Sequence, residues 1–228
     1  MLQLDALRIA QGDFSITADF SVPTGARVAL IGPSGAGKST LLLAIGGFVP
    51  LATGRVLWDG HDLGPLTPAA RPVAMLFQDQ NLFPHLTVTQ NLGLALSPDL
   101  RLSEAQHAQV ADVLARLGLE GMGNRKPGAR SGGQMGRAAL GRVLLQARPV
   151  LLLDEPFAAL GPGLKADLLA LVAEVAAGLT VLMVTHDPGD ARRFADLSVL
   201  VADGVAAAPV ATARLFADPP AALREYLG

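Results

Sequence analysis

The stretch RVALIGPSGAGKSTLLLAIGG, residues 27–47, constrains the fold of this chain more than any other. Arg27–Ile31 is a short apolar run and reads as a buried strand, and Lys38–Ile45 reads as a helix. The nine residues Gly32, Pro33, Ser34, Gly35, Ala36, Gly37, Lys38, Ser39 and Thr40 lie at and between their ends. They fit the spacing G-x-x-x-x-G-K followed by Ser or Thr. Glycines at these places let successive backbone N–H groups turn inward around an anion, and the helix start adds its positive dipole end. A lysine at the head of the helix reaches terminal phosphates, and the next hydroxyl can ligate Mg²⁺. All nine residues are therefore candidates for binding a nucleotide, with Ser39 also a candidate metal ligand.

The rest of the chain alternates strands and helices. Leu2–Ile9, Phe14–Val22, Arg55–Trp58, Val73–Phe77, Val150–Leu153, Thr180–Val184 and Leu197–Ala202 read as strands. Helices are expected over Val88–Leu96, Ser103–Leu117, Gln134–Ala147 and Leu164–Ala177, with Ser103 and Gln106 in capping-box positions. Alternation of this kind predicts an α/β fold with a mostly parallel sheet core, preceded by an antiparallel N-terminal β part. The region of about 80–147, rich in helix, reads as an inserted helical subdomain. Residues 1–79 and 148–228 then form the core of a single domain spanning 1–228. We find no internal repeat.

Composition narrows the class. A chain of 228 residues can bury a substantial core, and with 50% hydrophobic but only 4% aromatic residues that core is aliphatic. A net charge of -2 argues against a nucleic-acid partner. Without cysteine there are no disulfides and no thiolate metal sites. The opening residues MLQLDALRIAQGDF show no basic segment followed by an apolar one, so no signal peptide is expected. No apolar run reaches the roughly 18 residues of a membrane span. The mean hydropathy of +0.40 is high for such a chain. An Ala/Leu-rich core accounts for it, as would apolar surface covered by a partner.

Two carboxylates end the strand in VLLLDEP. Burying them without a cation would be costly, which points to a polar site. Asp154 is the candidate metal ligand, and Glu155 is the candidate general base toward an attacking water. Gln78, after the strand Val73–Phe77, is a candidate for orienting water beside Mg²⁺ and for ligating it. His186, after Thr180–Thr185, could bond a terminal phosphate or orient Glu155. His61, His85 and His107 lack metal-like spacing. A second glycine-rich stretch, GARSGGQMGR at 128–137, has no phosphate of its own to hold.

The order GPSGAGKST, LFQ, SGGQ, LLLDEP, THD resembles the ATP-binding subunit of an ABC transporter over nearly the whole chain. The resemblance implies a P-loop NTPase of the ABC type that hydrolyses ATP with Mg²⁺ to drive solute transport. Two copies would pair head to tail, each ATP lying between one phosphate loop and the partner's signature. Ser131, Gly132, Gly133 and Gln134 would then meet the γ-phosphate from the far side. The stretch around Gln78–Leu86 would contact an integral membrane permease at the cytoplasmic face of the bacterial inner membrane, served by a periplasmic solute-binding protein. Within the family, RPVAMLFQDQNLFPHLTVTQNLGLAL (71–96), LLLDEPFAAL and VLMVTHDPGDA are most similar to the ATPase subunits of bacterial thiamine importers. Importers of iron, polyamines and oxyanions share most of these motifs. About 25 residues follow the last expected strand, so a C-terminal regulatory domain is not expected. Other classes remain as alternatives: a soluble ABC ATPase acting on DNA or ribosomes, a P-loop kinase, or a nucleotide-binding regulator without turnover.

Four positions depart from the family pattern. Arg130 stands where the signature usually begins with Leu, and Met135 where an Arg often follows the signature Gln. Gly161 replaces the usual Asp after the acidic pair, from which weakened cooperativity between sites is expected. Gln11 stands where an aromatic usually stacks on the base, with Phe14 the only aromatic nearby.

Overall fold

Apolar runs with no polar alternation can lie only in the middle of a layered structure, and three of them form the centre of this one. The computed structural model describes residues 1–79, 82–127 and 132–227. In chain order the strands begin with β1 (Leu2–Gln11), β2 (Phe14–Val22), β3 (Arg27–Ile31), β4 (Thr53–Trp58), β5 (His61–Asp62) and β6 (Val73–Leu76). They continue with β7 (Val150–Asp154), β8 (Thr180–Val184), β9 (Leu197–Ala202), β10 (Val205–Ala206) and β11 (Val210–Ala211). The helices are α1 (Lys38–Gly46), α2 (Val88–Gly93), α3 (Glu104–Arg116), α4 (Gly132–Leu144) and α5 (Pro162–Val175). They end with α6 (Pro188–Phe194), α7 (Thr212–Ala217) and α8 (Ala221–Leu227).

The chain divides into two compact units. The first comprises Met1–Val73, Pro149–Glu155 and Gly178–Gly228. Its strands run in the order β5-β4-β1-β2-β10-β9-β3-β8-β7, with β11 also on β9. Strand β3 is parallel to both β8 and β9, and β7 is parallel to β8. Every residue of β7 and β8 is buried. In β2, by contrast, inward Ile16, Ala18, Phe20 and Val22 alternate with outward Ser15, Thr17, Asp19 and Ser21, the pattern of a strand with one wet face. It pairs antiparallel with β1 from Leu2↔Val22 to Gln11↔Phe14 across a tight turn. The short β10, parallel to β2 and antiparallel to β9, joins the antiparallel part to the parallel core.

Helix α1 packs on β7 and β8. It ends at Gly47, whose N–H reaches the carbonyls of Ala44 and Leu43. The buried Arg71 guanidinium donates to the carbonyls of Ala44 and Ile45 at 3.0 and 2.8 Å, satisfying acceptors that the last helical turn leaves open.

The second unit comprises Ala74–Arg148 and Pro156–Ala177. Helices α2, α3, α4 and α5 pack against one another around Leu92, Val110, Val113, Leu140, Val143 and Leu168. Both expected partners of the α3 capping box are in place: Ser103 Oγ accepts from the Gln106 N–H at 3.3 Å, and Gln106 Oε1 accepts from the Ser103 N–H at 2.9 Å. A second box, Thr87 with Gln90, opens α2. Asn91 is fully buried and holds the turn before that helix: it accepts from the Phe83 N–H at 2.7 Å and donates to the carbonyls of Phe83, Leu86 and Thr87.

Most expected elements are found within a few residues of their predicted ends. Helix α2 stops at Gly93 rather than Leu96, where turns take over. Helix α4 starts earlier, because Gly132 and Gly133 belong to its first turn rather than to a loop. The two-residue strands β5, β10 and β11 and the six- or seven-residue helices α6, α7 and α8 were not expected, since segments so short carry no periodicity to read.

Candidate functional site

The phosphate-type loop leaves β3 at a point where the backbone itself is crowded. Gly32 has φ +143°, and a Cβ built on it would lie 2.0 Å from the Val201 carbonyl oxygen on β9. Only glycine fits between these two strands. At the other end Gly37 has φ +97° and caps α1; a Cβ there would lie 2.5 Å from Cζ of Phe14. The loop is thus pinned between β9 and the aromatic ring at the start of β2. The buried Lys38 ammonium donates to the carbonyls of Gly32 and Pro33 at 2.8 and 2.7 Å, which holds the arc closed from inside. Burial pulls the Lys38 ammonium below its ordinary value, while the negative charges of Glu155 and Asp154 act against that shift.

Helix α1 and strand β7 meet at Ser39 and Asp154. The Ser39 hydroxyl donates to Asp154 Oδ1 at 2.7 Å. Burial raises the Asp154 carboxyl above its usual value; the bond from Ser39 and the charge of Lys38 oppose this, and the charge of Glu155 adds to it. Two hard oxygen donors at hydrogen-bonding distance, one anionic and beside a phosphate-type loop, suit Mg²⁺, which takes one or two protein oxygens and completes its shell with phosphate and water.

One residue on, Glu155 has φ +43°, an uncommon conformation for a side-chain-bearing residue, and its N–H bonds the Val184 carbonyl at 3.1 Å. This turn sends its carboxylate away from the Asp154 side and toward His186, whose Nδ1 lies 3.1 Å from Glu155 Oε2. The histidine follows β8 directly. Its neighbour Thr185 donates its N–H to the Leu30 carbonyl at 3.3 Å and its hydroxyl to Asp190 at 3.1 Å. Asp187 accepts from the Gly189 N–H at 2.8 Å and so caps α6.

A cavity of about 600 Å³ opens over these groups, lined by Ser34, Gly35, Gly37, Lys38, Ser39, Thr40, Glu155 and His186 and, from the β1–β2 hairpin, Gln11 and Phe14. Its volume lies within the range of nucleotide-sized ligand pockets. Gln11 and Phe14 face each other across the hairpin turn, so the aromatic reaches the cavity from one strand later than the sequence position of Gln11 suggested. Asp154 lies beneath this lining, buried and bonded to Ser39.

The remaining candidates belong to the second unit. Gln78 is exposed in the turn after β6. Gly132 and Gln134 are exposed and Gly133 is buried in the first turn of α4. A Cβ on Gly133 would lie 2.7 Å from a Leu164 methyl, so this glycine also lets α4 and α5 approach. Ser131 and Arg130 lie outside the described residues. Arg137 donates to the Leu117 carbonyl at 3.3 Å and so holds the end of α3. Tyr226 on α8, whose hydroxyl donates to the His186 carbonyl, was not among the expected residues; forty positions separate the two and no local pattern links them.

A family model described as ABC transporter matches residues 17–158. A thiamine import ATP-binding protein of Cereibacter sphaeroides is 66% identical over the full length of both chains. A protein of the same name from Ruegeria sp. is 56% identical, again over both full lengths, and one from Mesorhizobium japonicum is 48% identical over all of this chain and 91% of its own. Among solved structures, a nucleotide-free ATP-binding cassette from an ABC transporter superposes with a TM-score of 0.85 at 27% identity, covering 100% of this chain and 99% of that one. An ATP-binding cassette in a dimeric post-hydrolysis state bound to ADP and Pi gives 0.79 at 29% identity, covering 93% and 99%. With the family model spanning more than half its length, and with full-length relatives so similar, the chain belongs to the ABC transporter family.

Proposed function

We propose that this chain hydrolyses ATP to energise solute import through a membrane permease, and that the solute is thiamine. The observation that carries the hydrolytic part is the convergence of Lys38, the Ser39–Asp154 pair and the Glu155–His186 pair on one cavity. The solute rests on the relatives named for thiamine import, up to 66% identical over the whole chain.

In this reading the N–H groups of Gly32–Thr40, the start of α1 and Lys38 bind the phosphates, and Phe14 stacks on the base. Ser39 and Asp154 would hold Mg²⁺, which would supply charge neutralisation at the phosphates. Glu155 takes the proton of the attacking water. His186, 3.1 Å from its carboxylate, keeps it aimed. Phosphoryl transfer is dominated by positioning and electrostatics, so these preset contacts are where the protein acts.

Two copies work as a head-to-tail pair, supported by the dimeric state of the similar cassette bound to ADP and Pi. Ser131, Gly132, Gly133 and Gln134 of one copy complete the site of the other. The stretch Gln78–Leu86 docks on the permease at the cytoplasmic face of the inner membrane, and a periplasmic binding protein delivers the solute. No helix among the described residues is long and apolar enough to cross a membrane, which fits a peripheral subunit.

The test is uptake of labelled thiamine by cells lacking this gene, rescued by the native chain and not by Glu155→Gln. Normal uptake in the deletion overturns the solute assignment; parallel loss of iron, polyamine or oxyanion uptake would reassign it.

A further inference from the structure

We propose that Tyr226 is a positioning residue for hydrolysis: its hydroxyl fixes the backbone of His186 and, through the imidazole, the aim of the Glu155 carboxylate. The inference rests on Glu155 and His186 being the hydrolytic pair.

The His186 side chain is 56% exposed, and the contact that orients its ring is the one to Glu155. An imidazole so little packed takes its position from the backbone that carries it. The flanks of that backbone are tied by Thr185, through Leu30 and Asp190, and by Asp187, through the Thr185 hydroxyl at 3.1 Å. The carbonyl of His186 itself accepts the Tyr226 hydroxyl. Tyr226 is the single tyrosine of the chain. It sits three residues after Leu223, which is fully buried, so α8 is pinned one turn before the phenol and presents it from a fixed base.

The electrostatics keep the hydroxyl a donor. Burial raises the Tyr226 phenol above its ordinary value, and the negative charges of Asp187 and Glu155 raise it further. A hydrogen bond that stays made throughout turnover limits the dihedral freedom of residue 186, and a small tilt there is magnified at the ring atoms. Misplacement by about 1 Å can cost a large factor in rate when a reaction depends on alignment.

Tyr226→Phe removes one oxygen and keeps the ring. In steady-state phosphate release by the full chain with Mg-ATP, it is expected to lower kcat by about three- to ten-fold, the equivalent of one hydrogen bond. KM for ATP and the melting temperature should stay near native values, a split that simple loss of stability would not give. In a His186→Ala background the same change should have no further effect. Without nucleotide, the ring resonances of His186 should move in Tyr226→Phe while those of His61, His85 and His107 stay in place. Native kcat in Tyr226→Phe with a slow His186→Ala, or an equal loss in both backgrounds, overturns the role of Tyr226 alone. Native turnover in His186→Ala overturns the hydrolytic pair and this inference with it.

Discussion

The Ser39 hydroxyl and Asp154 Oδ1 lie 2.7 Å apart although 115 positions separate the residues, so the first turn of α1 and the end of β7 share one hydrogen bond at the floor of the cavity. This bond offsets part of the cost of burying Asp154, whose carboxyl is still raised above its ordinary value by desolvation. Because the folded value exceeds the unfolded one, the folded chain holds this proton more tightly. The stabilising contribution is fully present below the unfolded value and is lost as pH rises through the folded value. Asp154→Asn stays neutral throughout. In thermal melts without nucleotide it should therefore match the native chain in acid and exceed it toward neutrality. Hydrolysis should fall by about a hundredfold or more, as for loss of a metal ligand that stabilises charge. Parallel melting curves for the two proteins would contradict the electrostatic account.

Gly32→Ala and Gly37→Ala should differ in kind. At Gly32 the new methyl meets a backbone carbonyl of β9 at 2.0 Å, which cannot yield without parting two strands. A loss of about 3 kcal/mol or more is expected, in the range of the most damaging substitutions. At Gly37 the obstacle is the Phe14 ring at 2.5 Å, a side chain that can turn. Gly37→Ala should cost about 1–3 kcal/mol, mostly from its positive φ, and Phe14→Ala should recover part of it. Denaturant titration of the single and double variants measures the coupling; strict additivity at Gly37 would mean the ring never resisted the methyl.

Phe14 also borders the cavity from the hairpin, opposite Gln11. Phe14→Ala should weaken ATP binding by about 1 kcal/mol or more, the worth of an aromatic contact. Restoring affinity with Phe14→Tyr or Phe14→Trp would identify stacking as the cause. Equal affinities for native and Phe14→Ala chains in a fluorescent-nucleotide titration would leave the base without this partner.

Gly161 stands at the N-cap of α5 with φ −64° and ψ 156°, makes no side-chain cap bond, and has open space where a Cβ would go. An aspartate fits this backbone and can accept the free N–H groups of the first turn. Gly161→Asp should therefore raise stability by about 0.5 kcal/mol from capping and the helix dipole. From the family pattern it should also raise the Hill coefficient of ATP hydrolysis. A higher melting temperature with an unchanged Hill coefficient would confine Gly161 to a local structural role.

The parts of the site legible in sequence are those that short-range geometry writes down. GPSGAGKST packs its donors, helix start and lysine into nine consecutive residues, and VLLLDEP places two acids at the end of a buried strand. The relation between such segments was not legible. The helix was expected to start at Gln134, yet Gly132 and Gly133 already lie in α4, and Gly133 admits Leu164 of α5. The C-terminal helices α7 and α8 were missed because six or seven residues show no period, and with them went Tyr226.

The sequence alone determined which local structures could form. Unbroken apolar runs had to become central strands, and glycines at fixed spacing had to become an anion-binding turn, because burial and backbone sterics act over a few residues. Only the tertiary structure decided that Phe14 lies against Gly37, that Ser39 bonds Asp154, that Glu155 turns toward His186, and that Tyr226 holds the His186 carbonyl. These contacts join segments whose separation along the chain carries no pattern. Those among Ser39, Asp154, Glu155 and His186 exist because the parallel strands β3, β7 and β8 align their ends at one edge of the sheet, and that alignment is a property of the packed sheet rather than of any stretch within it.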